Sequence, residues 1–412
     1  SLFCKQIKFC ILKNLKEIAF LFLKLGLITF GGPAVHIALF EDEVVSKRKW
    51  MTHQHFLDLV GATNLIPGPN STEMAIHTGY HRAGVAGLIT AGICFTLPAV
   101  LITGMFAYFY AAYGNLPDVK PFLYGIKPAV IIVIINAVYR LGAKAIKGLP
   151  LRSQQSNFNK IKATAKQGWK LIAIGITVCA VNVSGVNEVF SILAGGIFGA
   201  IFIYLVEQKN TLNSFSLLSI LSLGFIPPVM QAVEKSEASL ATIFLTCLKI
   251  GAVWFGGGYI LVAYFNGEFV QGLNWLTRQQ LLDAIAVGQF TPGPFLSSAT
   301  FIGYQIAGIP GAIAATVGII IPSFVFVAIL NPLIPKLRKS NLLSKFLDAV
   351  NVSALAVMLV VSIKLGAEVL VDWETILIAV LSIIAFIAIK KINSAYIVLG
   401  GALTGYVLYL IN

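Results

Sequence analysis

The chain has 412 residues; 57% are hydrophobic, only 11% are charged, and the formal net charge is +13. A soluble domain of average composition carries about 25% charge, so this balance excludes an ordinary soluble enzyme and points to a polytopic, all-α membrane protein. The Lys and Arg excess gathers in short loops between apolar runs, as cytoplasmic loops require, so it does not imply nucleic acid.

The start is basic (Lys5, Lys8, Lys13, Lys16) and leads straight into repeated sequence, so no cleavable signal peptide is expected. From Lys24 to Pro69 each residue can be laid without a gap on the residue 225 positions later, as far as Pro294, and 17 of the 46 pairs are identical. After a one-residue gap the match resumes, with Gly79-Tyr80 on Gly303-Tyr304, Ala83-Gly84 on Ala307-Gly308 and Pro98 on Pro322. A period this long marks a duplicated domain. In a membrane chain it suggests a transporter with its site at the repeat interface.

Apolar runs of the roughly 20 residues that span hydrocarbon are expected over 83–113, 129–138 with its flanks, 171–183, 188–206, 375–389 and 395–411. No alternating segments of about ten residues occur, which excludes a β-barrel. The stretch 144–170 holds seven Lys and Arg without an acid and is expected to be a cytoplasmic loop. Lys336, Arg338, Lys339 and Lys345 mark a second such loop and Lys390-Lys391 a third, while Glu368, Asp372 and Glu374 fit the opposite side. This charge pattern sets equivalent segments in opposite directions, an inverted repeat. The expected organisation is an N-terminal repeat over 1–210, a connecting segment over 211–240 and an inverted C-terminal repeat over 241–412. The five Cys residues are scattered, without a CxxC, and read as buried free thiols.

Two matched tripeptides, Pro67-Gly68-Pro69 and Pro292-Gly293-Pro294, must break their helices, because proline removes a backbone donor and clashes with the preceding turn. Broken backbone at membrane depth survives only inside protein or along a cavity. Each break either interrupts a crossing helix, giving about 13 spans, or forms a re-entrant hairpin, giving 10 spans plus two hairpins. Asn70-Ser71-Thr72-Glu73 after the first break offers N-cap chemistry, and Ser297 follows the second. Helix N-termini there aim N–H groups and a positive dipole end at an oxyanion; the plainer alternative is a packing kink.

Gly31-Gly32 and Gly256-Gly257 mark a second irregular place in each half, for close helix packing or a ligand. Lys24 and Lys249 stand at matched positions within apolar runs. They either neutralise a dianion or snorkel to the membrane surface. Asp58 and Asp283 either pair with those lysines, relay protons, or stabilise first turns capped by Thr52 and Thr277. Asn64 and Gln289, three residues before each break, are neutral amide donors. Glu73, His77 and His81 share one helical face; a pH-sensitive stripe fits them better than a zinc site, because the pattern is not HExxH.

The ordered set Phe30-Gly31-Gly32-Pro33-x-x-His36, Glu43-Val44-Val45, Trp50, Asp58, Leu65-Ile66-Pro67-Gly68-Pro69, Gly79-Tyr80-x-Arg82-Ala83-Gly84 and Leu97-Pro98 resembles the chromate ion transporter family in its long, two-domain form. The second half carries it through Phe255-Gly256-Gly257-Gly258, Gln289-x-x-Pro292-Gly293-Pro294, Gly308 and Pro322-Ser323-Phe324. The likeness covers roughly 17–113 and 241–334. It implies a multi-pass protein of the bacterial inner membrane that exports chromate and confers resistance, with sulfate as the look-alike dianion. Asn64 stands where the family often has Gln, and the stretch from Glu41 to Lys49 is unusually charged.

The expected site lies between the two breaks: Lys24, Gly31, Gly32, Asn64, Pro67, Gly68, Pro69, Asn70, Ser71, Lys249, Gly256, Gly257, Gln289, Pro292, Gly293, Pro294 and Ser297, with Asp58 and Asp283 as relay or ion pair. Exit of a dianion from a negative interior gains about 4.6 kcal/mol per 100 mV. No nucleotide-binding motif occurs, and neither a cofactor, a metal nor an enzymatic reaction is expected. The partners are a small inorganic oxyanion and the lipid bilayer, with a homodimer allowed. An anion channel and sulfate uptake by proton symport are the competing readings.

Overall fold

The computed structural model describes residues 2–30, 33–63, 66–114, 116–117, 119–147, 157–208, 238–255, 257–330, 341–389 and 392–411, all in helices and short connections. Gly31, Gly32, Asn64, Gly256, the connecting residues 211–237 and the basic positions 336–339 and 390–391 lie outside the described residues.

The first half opens with α1 (Leu2–Ile28), α2 (Pro33–Glu41), a π-helical turn (Asp42–Lys47) and α3 (His53–Thr63). It continues through α4 (Asn70–Tyr113), α5 (Lys120–Lys147), α6 (Asn157–Val183) and α7 (Glu188–Gln208). The second half repeats the order with α8 (Leu240–Val253), the short α9 (Leu261–Phe265), a π-helical turn (Asn266–Gly272) and α10 (Arg278–Phe290). It ends with α11 (Ser298–Leu330), α12 (Asn341–Val369), α13 (Trp373–Ala388) and α14 (Ser394–Ile411).

Thr277 starts α10 as the sequence suggests: its hydroxyl accepts from the Gln280 amide, and the Gln280 side chain accepts from the Thr277 amide. Thr52 likewise accepts from the His55 amide. The stretch Asn70-Ser71-Thr72-Glu73, expected to offer N-cap chemistry, does not supply the N-cap of α4. Pro69 holds that position with no side-chain bond, and Asn70 is the first helical residue, because the ring fixes the extended entry. The basic stretch 144–170 is helical at both ends, since α5 runs to Lys147 and α6 begins at Asn157. Lys345 sits within α12 rather than in a loop, its ammonium 5.0 Å from the Tyr204 ring, where the ring face attracts the cation.

The first break folds back on itself. His55 and His81 would stand about 39 Å apart on one continuous helix, yet their rings are 4.7 Å apart. The Arg82 guanidinium lies 5.2 Å over the Trp50 ring, so the arms 53–63 and 70–82 run side by side. The chain then reverses again at Ala83-Gly84 (Gly84 φ 60°, ψ −147°), and the second half does the same at Ala307-Gly308 (φ 62°, ψ −151° at Gly308).

In lipid, helices associate through close packing and small residues more than through water exclusion. Gly26 of α1 meets α4 so closely that a Cβ would stand 2.5 Å from Phe95 O, and Gly251 of α8 meets Ile319 O of α11 at the same 2.5 Å. Around the first contact Phe22, Phe40 and Phe95 pack edge to face, with centroids 5.2–6.5 Å apart. The halves are also interleaved: α6 and α7 pack on α12, while α13 and α14 pack on α5. Six helices among the described residues are long and apolar enough to cross a bilayer. Their outward side chains, Leu101, Ile363 and Leu403 among them, are large and apolar. The molecule is a multi-pass, all-helical membrane protein.

Candidate substrate site at the paired corners

Each Pro-Gly-Pro corner is possible because its glycine takes a positive φ, 140° at Gly68 and 92° at Gly293, a region that side-chain-bearing residues avoid. Each corner reaches into the opposite half. The Gly68 amide donates to Trp254 O at 2.7 Å, and the Gly293 amide donates to Thr29 O at 2.8 Å. Thr29 and Trp254 are themselves a matched pair in the duplication, so the exchange is reciprocal. Each bond also satisfies a carbonyl left open at a helix end.

Between the corners lies a cavity of about 40 Å³, lined by Pro69 and Ser71 of the first corner and by Gly288, Gln289, Thr291, Gly293 and Phe295 around the second. His36, Gly258, Tyr259 and Ser394 complete it. On this measure it holds roughly three waters, the scale of a small inorganic ion and far below that of an organic substrate. Gln289 is its best-defined polar group. Its Oε1 accepts from Ser394 Oγ at 2.9 Å and from Tyr259 Oη at 3.4 Å. Its Nε2 is buried and has no partner among the described residues. Two hydroxyls thus fix the amide so that its N–H groups remain for a guest that accepts hydrogen bonds. Thr291 is held in turn by Thr103 at 3.1 Å.

Of the residues expected at the site, Pro69, Ser71, Gln289 and Gly293 line this cavity. Pro67, Gly68, Pro292 and Pro294 form the corners behind it, and Asn70 opens α4. Ser297 is buried nearby with its hydroxyl unpartnered, and Gly257 turns the chain before Gly258 with φ 95°. Lys24 and Lys249 are elsewhere. Lys24 Nζ lies 3.7 Å from Glu43 and Lys249 Nζ 2.7 Å from Glu268, both lysines half-exposed.

Those carboxylates sit on the two π-helical turns and are identical partners in the duplication, a signal the sequence reading passed over. The aspartates do not pair with the lysines either. Asp283 accepts from Tyr110 Oη at 2.7 Å, and Gln54 Nε2 approaches Asp58 at 3.4 Å. His81 of the acidic-basic stripe faces His55, and no three His, Cys, Asp or Glu side chains among the described residues cluster as metal ligands would. Ser394 carries no sequence signal, since α14 lies outside the aligned repeat, and Tyr259 none because its partner in the duplication is Ala34.

The family model for the chromate transporter matches residues 16–200 and 241–406. The chain is 29% identical to the probable chromate transport protein of Synechococcus elongatus over 96% of each chain. It is 28% identical to the chromate transport protein of Cupriavidus metallidurans, over 96% of this chain and 94% of that one. It is also 30% identical to the chromate transport protein of Pseudomonas aeruginosa, over 94% of this chain and 91% of the other. No solved structure matches.

Proposed function

The chain belongs to the chromate transporter family, and from that premise we propose that it moves chromate outward across a bacterial inner membrane through the cavity between its two corners. The observation that carries this reading is Gln289: a buried amide whose oxygen is engaged twice and whose nitrogen is left for an acceptor. Among the lining residues only His36 can carry a positive charge, and neither Lys24 nor Lys249 is there. The guest is therefore held by aimed N–H and O–H groups in a low-dielectric space, where such bonds are strong. The dianion's exit is downhill in the membrane potential by about 4.6 kcal/mol per 100 mV.

The architecture in this reading is 10 spans plus two re-entrant hairpins, in two halves of inverted topology that rock about the site. The stacked arms at His55 and His81, the reciprocal corner bonds and the loop charges of the sequence all support it.

The test is flux of labelled chromate into liposomes holding the purified chain, with sulfate as competitor. Saturable uptake stimulated by chromate inside the vesicle is expected. Flux that neither saturates nor responds to inside chromate identifies a channel, and preference for sulfate reassigns the substrate.

A further inference from the structure

We propose that Glu73 is a proton-binding site of this transporter, occupied together with the anion, so that one proton crosses with each dianion; this rests on the transport reading above. Glu73 stands on the first turns of the 70–82 arm with 0% exposure, and neither carboxyl oxygen has a hydrogen-bond partner among the described residues. One of its oxygens lies against Gly68, where an added Cβ would also meet Ser323 Oγ of α11 at 2.6 Å. The hydroxyls of Ser323 and of Thr72 are themselves buried and unpartnered. The carboxyl group thus sits at the joint by which the first corner holds the other half.

The fold does not need it there. Counted from the matched prolines, its counterpart in the second half is a serine, Ser298, or Ser297 once the gap is taken. Among the described residues no cation is seen to compensate it. α11 carries no Asp, Glu, Lys, Arg or His along its whole length. On α1 and the neighbouring turn, Lys24 and Arg48 are engaged with Glu43, and Glu17 with Arg82. Lys249 of α8 is engaged with Glu268, and Asp283 of α10 with Tyr110.

On α3, Asp58 lies beside Gln54, His53 beside Glu41, and His55 faces His81. Among the described residues nearby, His77 stands one turn along the same arm, and His36, which lines the cavity, is buried edge-on against Phe95. An ionised carboxylate so placed costs several kcal/mol. A protonated one is neutral and can donate to a neighbouring hydroxyl.

Pro69 and Ser71, on either side of the same turn, line the cavity. Glu73 is not itself a lining residue, but across a low-dielectric interior a carboxylate and a dianion still repel each other, and a proton on Glu73 removes that repulsion. Anion and proton therefore favour each other's binding, and the coupling is reciprocal. Together they carry one net negative charge rather than two.

The test uses the full-length chain in liposomes at alkaline pH, where chromate is the dianion, and finds the voltage at which net chromate flux is zero. For the wild type that voltage is expected to move by about 59 mV per tenfold chromate ratio and equally per pH unit across the membrane, as for one net charge. For Glu73→Gln it is expected to move by about 30 mV per tenfold ratio, as for two charges, and not with pH. A wild-type null voltage indifferent to pH overturns the proposal. So does a Gln variant that still follows pH, which puts the proton on chromate itself or on another group.

Should the variant carry no flux, chromate binding to purified protein decides. The wild type's affinity falls as pH rises and the Gln variant's does not; equal pH dependence in both overturns the proposal. A wild type with saturable flux but no pH response defeats only the proton site, whereas absence of chromate flux defeats the transport reading as well.

Discussion

The two halves share their backbone devices almost residue for residue and differ in chemistry. Both have a positive-φ corner, a reversal at Ala-Gly, a π-helical turn bearing a glutamate that a lysine answers, and a glycine seated on a neighbouring backbone. The second half carries the fixed amide, Gln289 with Ser394 and Tyr259. The first half carries the uncompensated carboxyl, Glu73, where the second has serine. Duplication preserved what holds the backbone at membrane depth, where every irregular N–H must be answered. It left the side chains around the cavity free to specialise.

That contrast can be broken, and the sharpest attempt is at Gln289. Gln289→Leu removes the donor and strands two hydroxyls, and bonds to charged guests are worth about 1.5–3 kcal/mol. Chromate affinity should drop roughly 10- to 100-fold in a binding assay while the protein still folds. An unchanged affinity would mean the second half has no special claim on the anion.

The ion pairs give the next effect. Glu43 keeps Lys47 and Arg48 if Lys24 is lost, but Glu268 is answered by Lys249 alone among the described residues. Lys249→Met should therefore lower thermal stability in detergent by about 1–3 kcal/mol, the cost of stranding a buried partner, and Lys24→Met by less than about 1 kcal/mol. If the double variant instead abolishes flux in a well-folded protein, the lysines do hold substrate.

The smallest effect is at the caps. Thr277→Ala should cost about 1 kcal/mol, because its capping bond is returned by Gln280. Thr52→Ala should cost less in the same melting experiment, since only one bond to the His55 amide is made there.

Much of this was legible in the chain. Pro-Gly-Pro twice over leaves the backbone no helical option, and the corners follow from it; Thr277 three residues before Gln280 announces its cap. A lysine in an apolar run demands an answer, and the sequence alone offers a dianion or the membrane surface as that answer. The answers to Lys24 and Lys249 lay 19 residues on, in Glu43 and Glu268, a separation bridged only by a helix that turns back. Ser394 could not be found at all, since its place beside Gln289 depends on α14 packing against α10 across more than 100 residues of chain. Glu73 was visible as part of a stripe with His77 and His81, but its isolation is a property of the uncharged helix packed against it.

The reciprocal corner bonds have a consequence for ancestry. Because Gly68 and Gly293 offer matched amides to matched carbonyls, a chain of half this length, meeting a second copy of itself, could have closed both clasps without any new invention. Fusing the copies would have replaced a chance encounter with a partner always at hand, a gain in effective concentration. It would also have released each copy from having to play both parts.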